Sequence, residues 1–265
     1  MARDPKAKLE ELAVQLEQKL GDNLLAFCCY GPAVRHDTRE GEKELTTLLI
    51  VRDASPTGLR PIEAPIAQWT RKGHPPPLIF AEDGWRSSTD VFPIEIEDMR
   101  EAHRLLRGRD PFEGLTTTRQ DLRRELEREV RGKLLRLRTE YVAAASNGKA
   151  LSELLLDSAG TFFVLFRAVL RLAGHTPPQT PKTLVHEMAD VAALDATAFD
   201  WVLDKLVGHN VQALKAYDPI GDHYVEQLER LVRFVDSYGV GEGGGAEAAG
   251  GAELEGGAKA TADNT

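Results

Sequence analysis

The stretch FCCYGPAVRHDTREGEKELTTLLIV, residues 27–51, decides the fold of this chain. Two apolar runs of strand length, residues 24–30 and 45–51, flank a glycine turn at Gly31 and a long polar loop. Neither run alternates apolar with polar residues, which is typical of strands that are buried on both faces. The stretch therefore predicts two buried strands that are joined by a turn and a loop.

The segments around this stretch predict a small mixed α/β unit. Leucines at helical spacing before Gly21 indicate an amphipathic helix that packs on the strands. Residues 78–80 are a short apolar run, and VFPIEI at 91–96 predicts a further strand, whose proline favours an edge or a bulge. A helix over 97–107, ending at Gly108, completes the unit.

From Arg119 onward the periodicity is helical only. Residues 151–173 are apolar nearly all round, as in the central helix of a bundle, and Thr180-Pro181 and Asp218-Pro219 are helix starts. Between these two starts, a further helix is predicted over 198–216. We therefore predict an α+β protein in three parts: a small mixed β-sheet domain over 1–115, an all-α bundle of about five helices over 116–238, and a Gly/Ala/Glu tail over 239–265. The tail lacks large apolar residues, so we expect it to be disordered.

Composition excludes several classes of function. The 265 residues carry a formal net charge of −9, which argues against broad nucleic-acid binding by the whole surface. No apolar run approaches the roughly 20 residues that span a bilayer, and the N-terminus has no signal-peptide core, so we expect a cytoplasmic protein without membrane contact. The two cysteines, Cys28 and Cys29, are adjacent and point to opposite faces of a strand, which argues against a structural disulfide and a Cys-based zinc site.

The order of these segments resembles the DNA-polymerase-β-like nucleotidyltransferase superfamily, and the bundle after the sheet resembles the aminoglycoside nucleotidyltransferases. Residues 30–35 look like the superfamily's phosphate-binding turn, residues 48–51 like the metal-bearing strand, and residues 92–96 like the strand with the third carboxylate, which would be Glu95. The resemblance implies a triphosphate held at the Gly-Ser turn and divalent metal held by two acids at i and i+2 on one strand face. Two such carboxylates could bind the ions that neutralise a transferring phosphate, and magnesium suits their oxygen ligands.

The chemical groups that this resemblance requires are mostly missing. Pro32 occupies the serine position and offers neither a hydroxyl nor an N–H. The two metal-ligand positions fall on Leu45 and Thr47, and a one-residue shift places Glu44 and Thr46 there, which still supplies only one acid. The remaining alternative is a rearranged magnesium site made of Glu42, Glu44 and Glu95.

The helix that begins near Arg119 is basic within an acidic protein. Several of its charges form pairs at i, i+4, such as Glu127–Arg131 and Glu129–Lys133, which is typical of a helix face exposed to solvent. If the cleft between the two domains binds a ligand, the candidate residues are Gly31, Arg35, Arg119 and Arg123.

We therefore predict a catalytically inactive nucleotidyltransferase-like protein that requires no cofactor. It would bind a nucleotide or another anionic small molecule, or a protein partner through its helical bundle. The alternative is an active magnesium-dependent enzyme that transfers a nucleoside monophosphate from a nucleoside triphosphate to a hydroxyl acceptor.

Overall fold

A computed structural model of the chain describes residues 5–35, 45–209 and 211–238. The predicted tail over 239–265 and the loop acids Glu42 and Glu44 lie outside these residues. The α/β part contains the following elements: α1 (Pro5–Leu20), β1 (Leu24–Tyr30), β2 (Thr46–Val51), α2 (Pro56–Leu59), α3 (Glu63–Arg71), β3 (Leu78–Ala81), α4 (Glu82–Arg86), α5 (Pro93–Glu101) and β4 (His103–Gly108). The helical part contains α6 (Arg119–Ala144), α7 (Gly148–Leu172), α8 (Pro181–Ala192), α9 (Thr197–Leu206) and α10 (Pro219–Ser237).

The four strands form one mixed sheet in the order β3-β2-β1-β4. β1 runs antiparallel to both β2 and β4, whereas β2 and β3 are parallel. In this register Tyr30 lies beside Thr46 on one side and beside His103 on the other. The two predicted buried strands are therefore hydrogen-bonded neighbours, and the turn at Gly31 leaves the centre of the sheet.

Both faces of the sheet are covered, as the unbroken apolar runs predicted. One face packs with Leu12 and Leu16 of α1 and with Trp69 of α3. The other face packs with Ile96 of α5 and with Trp85 of α4. Both runs are half-buried or buried along their length because they contact helices on either side.

The helical part is built around α7, which buries residues on most of its circumference. The predicted helix starts at Thr180 and Asp218 are confirmed, since each side chain accepts a hydrogen bond from a backbone N–H of the first turn. α5 of the sheet domain packs against both α6 and α7, so the two parts share an apolar and polar interface. The boundaries predicted at 115 and 238 remain predictions.

Three predicted elements are wrong. VFPIEI is not a strand: Pro93 occupies the first position of helix α5, where proline's missing N–H and fixed φ are favourable. The helix predicted over 97–107 ends at Glu101, and His103–Gly108 is instead the edge strand β4. The helix predicted over 198–216 ends at Leu206.

Within the described residues, no helix is both long and apolar enough to cross a membrane.

Candidate functional site between the sheet and the bundle

The turn after β1 is closed by its own hydrogen bonds. Gly31 has a φ of 76°, its N–H donates to the carbonyl of Ala102 at 2.9 Å, and its carbonyl accepts from the N–H groups of Val34 and Arg35 at 3.0 and 3.3 Å. Pro32 has no N–H to offer. Three of the turn's N–H groups are thus engaged internally, which leaves this turn poorly equipped to hold a triphosphate.

The positions of the metal ligands on β2 are apolar or buried. Leu45 is 3% exposed and packs in the cluster that contains α1. Thr47 is 1% exposed, and its hydroxyl has no hydrogen-bond partner among the described residues. On the opposite face, Thr46 donates its hydroxyl to the carbonyl of Tyr30 at 2.7 Å, and Leu48 is fully buried. Neither face of residues 45–51 therefore presents a carboxylate.

The third carboxylate is not on a strand either. Glu95 lies on helix α5, so the prediction that placed it on a strand is wrong. Desolvation raises the pKa of Glu95, although the residue is partly open to solvent, and the nearby carboxylates Glu125 and Glu129 of α6 raise it further. β4 now occupies the edge beside β1, and its sequence HRLLRG contains no acid.

The described residues contain no ligand set for magnesium, because no three His, Cys, Asp or Glu side chains among them lie close enough together to hold a metal ion. The unpartnered hydroxyl of Thr47 sits in a core face beside Leu45, which cannot supply a second oxygen ligand. The residues present on β2 and β4 do not fit the metal that the resemblance implied. Glu42 and Glu44 lie in the part of the chain that the structure does not describe.

Arg35 ties the turn to the bundle. Its guanidinium is buried and donates from Nη2 to the Asp98 carboxylate at 2.8 Å and to the Asp98 carbonyl at 2.9 Å. Nη1 donates to the amide oxygen of Gln179, in the loop before α8, at 3.3 Å. Arg35 is therefore held by protein groups on three sides, and the candidate ligand-binding residue proves to be a cross-link between the turn, α5 and the bundle.

Asp98 joins this cross-link to α7. Its carboxylate accepts hydrogen bonds from Arg167 as well as from Arg35, and Arg171 lies 3.7 Å away. Burial acts to raise the pKa of Asp98, but the surrounding arginines outweigh it and hold that pKa below its ordinary value. Asp98 is thus an anion that these arginines keep ionised.

Arg171 completes the cluster with a donor to spare. Its Nε donates to Glu101 at 2.8 Å, and its Nη2 lies 2.6 Å from the second Glu101 oxygen as an ion pair. Nη1 and Nη2 are both buried and make no hydrogen bond with the described residues. We define the arginine cluster as Arg35, Asp98, Glu101, Arg167 and Arg171. It contains three guanidinium groups and two carboxylates, so it is positively charged inside an acidic protein.

A cleft of about 440 Å³ adjoins the arginine cluster. Its charged and polar lining includes Glu97, Glu101, Thr118, Arg119, Arg171 and His175. Of the predicted ligand-binding residues, Arg119 lies in this cleft and Arg35 in the cluster behind it. Gly31 lies at the turn that Arg35 anchors, whereas Arg123 lies 3.5 Å from Glu127 and does not line the cleft.

Arg167 and Arg171 were not predicted from the sequence. The available signal was two cations at i, i+4 near the end of a helix that is otherwise apolar nearly all round. Charged residues are rarely buried unless they are paired, so two arginines on such a helix indicate partners on another element.

The basic helix α6 mostly satisfies its own charges. Arg131 lies 3.4 Å from Glu127 and Lys133 lies 3.6 Å from Glu129, which confirms the two predicted i, i+4 pairs. Arg138 reaches across to Glu229 of α10 at 2.6 Å. The charged residues of α6 therefore mostly form a solvated face opposite its buried leucines, and its N-terminal end is the part that meets the cleft.

No family model matches the chain, and no curated protein matches it in sequence. Among solved structures, the chain is similar to a spectinomycin adenyltransferase from Enterococcus faecialis, crystallised with ATP and spectinomycin. The TM-score is 0.54 at 11% identity, and the match covers 85% of this chain and 100% of that one. The chain therefore has the nucleotidyltransferase-like fold, a small mixed sheet followed by a helical C-terminal region, as the resemblance implied.

Proposed function

We propose that the chain is a nucleotidyltransferase-like protein without nucleotidyl-transfer activity, which binds a nucleotide or another anion between its sheet and its bundle. One observation carries the proposal: where metal-binding acids should stand, the chain has Leu45 just before β2, Thr46, Thr47 and Leu48 on β2, and no acid on β4. Metal-assisted phosphoryl transfer depends on ions that neutralise the charge developing on the phosphate oxygens. Without carboxylates to hold those ions, the protein could still bind a ligand but could not catalyse metal-assisted phosphoryl transfer.

Two features support anion binding. The adenyltransferase with the similar fold was crystallised with ATP. In the present chain, the arginine cluster places excess positive charge at the boundary between sheet and bundle, even though the chain as a whole carries −9. A local positive field inside an acidic protein favours a small anion over a long polyanion such as nucleic acid.

The alternative is a magnesium-dependent enzyme that uses Glu42, Glu44 and Glu95. The position of Glu95 on α5, beside acids of α6, counts against this alternative because the residue no longer belongs to a strand next to β1. A protein partner that docks on the bundle also stays a prediction.

Pyrophosphate release tests the loss of catalysis. The full chain is incubated with each of the four nucleoside triphosphates, magnesium and a panel of hydroxyl acceptors that includes aminocyclitols, and pyrophosphate is measured by a coupled assay. We expect no release above the rate of the buffer. Turnover that is abolished in Glu44→Gln but kept in Glu40→Gln, a matched change in the same polar loop, would establish the active alternative instead.

A further inference from the structure

A groove between α1 and α3 lies on the face of the sheet opposite to α5, away from the cleft beside the bundle. Its volume is about 380 Å³, which is within the range of small-molecule sites. The groove is lined by the apolar Ala64 and Pro65 and by five polar side chains, those of Gln15, Gln18, Lys19, Gln68 and Arg71. The lining thus contains two cations and three carboxamides but no carboxylate, in a chain whose net charge is −9.

Helix α1 directs two of its acids away from this groove. Glu10 and Glu17 lie on the side of α1 that meets β4, where both pair with Arg107. Gln15 and Lys19 lie on the side that meets α3. The two carboxylates are therefore engaged on the far side of the helix and leave the cations of the groove to a ligand.

The groove is narrow at one end. Lys72, just after α3, lies 3.4 Å from Glu11 of α1 and forms an ion pair across the two helices. The hollow beside this pair shares Gln15, Pro65 and Gln68 with the groove, and its volume is only about 10 Å³. The free volume at the other end therefore suits a compact ligand rather than an extended chain that would run along both helices.

The polar side chains of the groove are accessible and are not used elsewhere. Lys19 and Arg71 are exposed and Gln15 is half-buried, and none of the five polar side chains makes a hydrogen bond or an ion pair within the described part of the chain. By contrast, Arg136 and Arg138 of α6, which are also exposed, lie 2.7 and 2.6 Å from a carboxylate oxygen. The two cations of the groove therefore remain to be matched by an anion from outside the protein.

The two kinds of polar group in the groove define the chemistry of its ligand. A guanidinium donates through a planar fork that fits phosphate oxygens, and an ammonium adds a point charge. A carboxamide has an acceptor oxygen and two N–H donors, so it matches a hydroxyl group, which is also both donor and acceptor. Ala64 and Pro65 offer apolar surface to the C–H groups of a sugar ring.

We propose that this groove binds a phosphorylated sugar, with the phosphate between Lys19 and Arg71 and the hydroxyl groups on Gln15, Gln18 and Gln68. A phosphate monoester carries a charge of about −1.5 to −2 at pH 7, which the two cations match. A sugar without phosphate leaves both cations unmatched, and inorganic phosphate leaves the carboxamides unused. The site is separate from the anion site proposed between the sheet and the bundle.

Calorimetry on the full chain tests the groove with glucose 6-phosphate and ribose 5-phosphate, and with glucose and inorganic phosphate as their parts. At least one sugar phosphate should bind more tightly than glucose and than phosphate. Arg71→Gln removes a charge-assisted hydrogen bond and should weaken that binding by about 10- to 100-fold, whereas Gln68→Ala should weaken it by about 2- to 10-fold. Arg233→Gln is the matched control, because it removes the charge of an exposed arginine on α10, outside the groove.

Circular dichroism establishes that each variant is folded, as expected for substitutions of exposed side chains. Lys19→Gln repeats the test of the phosphate position and carries it if Arg71→Gln is not folded. Sugar-phosphate binding that is weakened by the groove variants and kept in Arg233→Gln supports the proposal.

Three results would overturn the proposal. The first is that neither sugar phosphate binds the wild type, or that the wild type and the folded groove variants bind equally well. The second is that Arg233→Gln weakens binding as much as Arg71→Gln does, since binding would then follow the overall charge of the protein. The third is that a short single-stranded RNA binds more tightly than either sugar phosphate with the same dependence on Lys19 and Arg71, which would assign the groove to nucleic acid.

Discussion

The change Asp98→Asn tests whether the arginine cluster holds the sheet and the bundle together. Asp98 has a side chain that is 13% exposed and lies between Arg35 and Arg167, whose side chains are 5% and 10% exposed. The substitution keeps the size of the side chain but removes its charge, so two buried guanidinium groups lose their shared anion. Removing one partner of a buried ion pair costs about 3–5 kcal/mol.

The assay is urea unfolding at pH 7, followed by circular dichroism. With a slope of about 3 kcal/mol/M, the expected loss lowers the midpoint by about 1 to 1.7 M. Asp90→Asn is the matched control, because Asp90 is exposed and its substitution should change the stability by less than about 0.5 kcal/mol. A loss below about 1 kcal/mol in Asp98→Asn would refute the reasoning, since the arginines would then be adequately solvated without their anion.

The difference in stability between the wild type and Asp98→Asn should depend on pH. The pKa of Asp98 is lower in the folded chain than its ordinary value of about 3.9. A group with a lowered folded pKa contributes stability that is present above its unfolded pKa and is lost as the pH falls through the folded pKa. The difference between the wild type and Asp98→Asn should therefore be full above about pH 5 and narrow as the pH falls below about 4. A difference that stayed constant down to the acid transition would contradict this assignment.

Two further predictions concern the sheet and its turn. Gly31→Ala should lower the free energy of unfolding by about 1–2 kcal/mol, because φ is 76° and an added Cβ would lie 3.2 Å from Thr46 Oγ1. Gly132→Ala, in the middle of α6 with no atom within 4 Å of its Cβ, should instead raise it by about 1 kcal/mol. Urea unfolding that shifted both variants in the same direction would contradict this prediction. Burial raises the pKa of Cys28 to about 12 and of Cys29 to about 11. An aromatic disulfide reagent at pH 8 should therefore label neither thiol in the native chain and both thiols in urea. Rapid labelling of the native chain would contradict this prediction and show that the sheet opens at β1.

Elements whose signals are local could be predicted from the amino-acid sequence. β1 was predicted with the bounds that the structure has, since a continuous apolar run of strand length is stable only where both faces are covered. The caps at Thr180 and Asp218 and the charge pairs along α6 were predictable for the same reason, because each partner lies within four residues of the other. The order of these elements was enough for the resemblance to the nucleotidyltransferases, which the structural comparison confirms at the level of the fold.

The error around Pro93 shows where a local pattern is ambiguous. Proline is compatible with an edge strand and equally with the first position of a helix, and only packing against α6 and α7 decides in favour of α5. β4 was missed because an edge strand can carry charge: Arg107 lies on the face that meets α1 and pairs there with Glu10 and Glu17. Those partners are 97 and 90 residues away, so no window of the sequence contains them.

The candidate site, by contrast, depends on contacts between residues that are far apart in the chain. Asp98 is 63 residues from Arg35 and 69 from Arg167, and none of the three is exceptional in its own segment. Burying a guanidinium is favourable only when an anion is already in place, so the charges on β1's turn, α5 and α7 acquire a role when folding brings them together. The sequence alone determined that the catalytic acids are missing from residues 45–51. The fold alone placed Arg171 and the N-terminus of α6 around one cleft, because their proximity depends on how the sheet packs against the bundle.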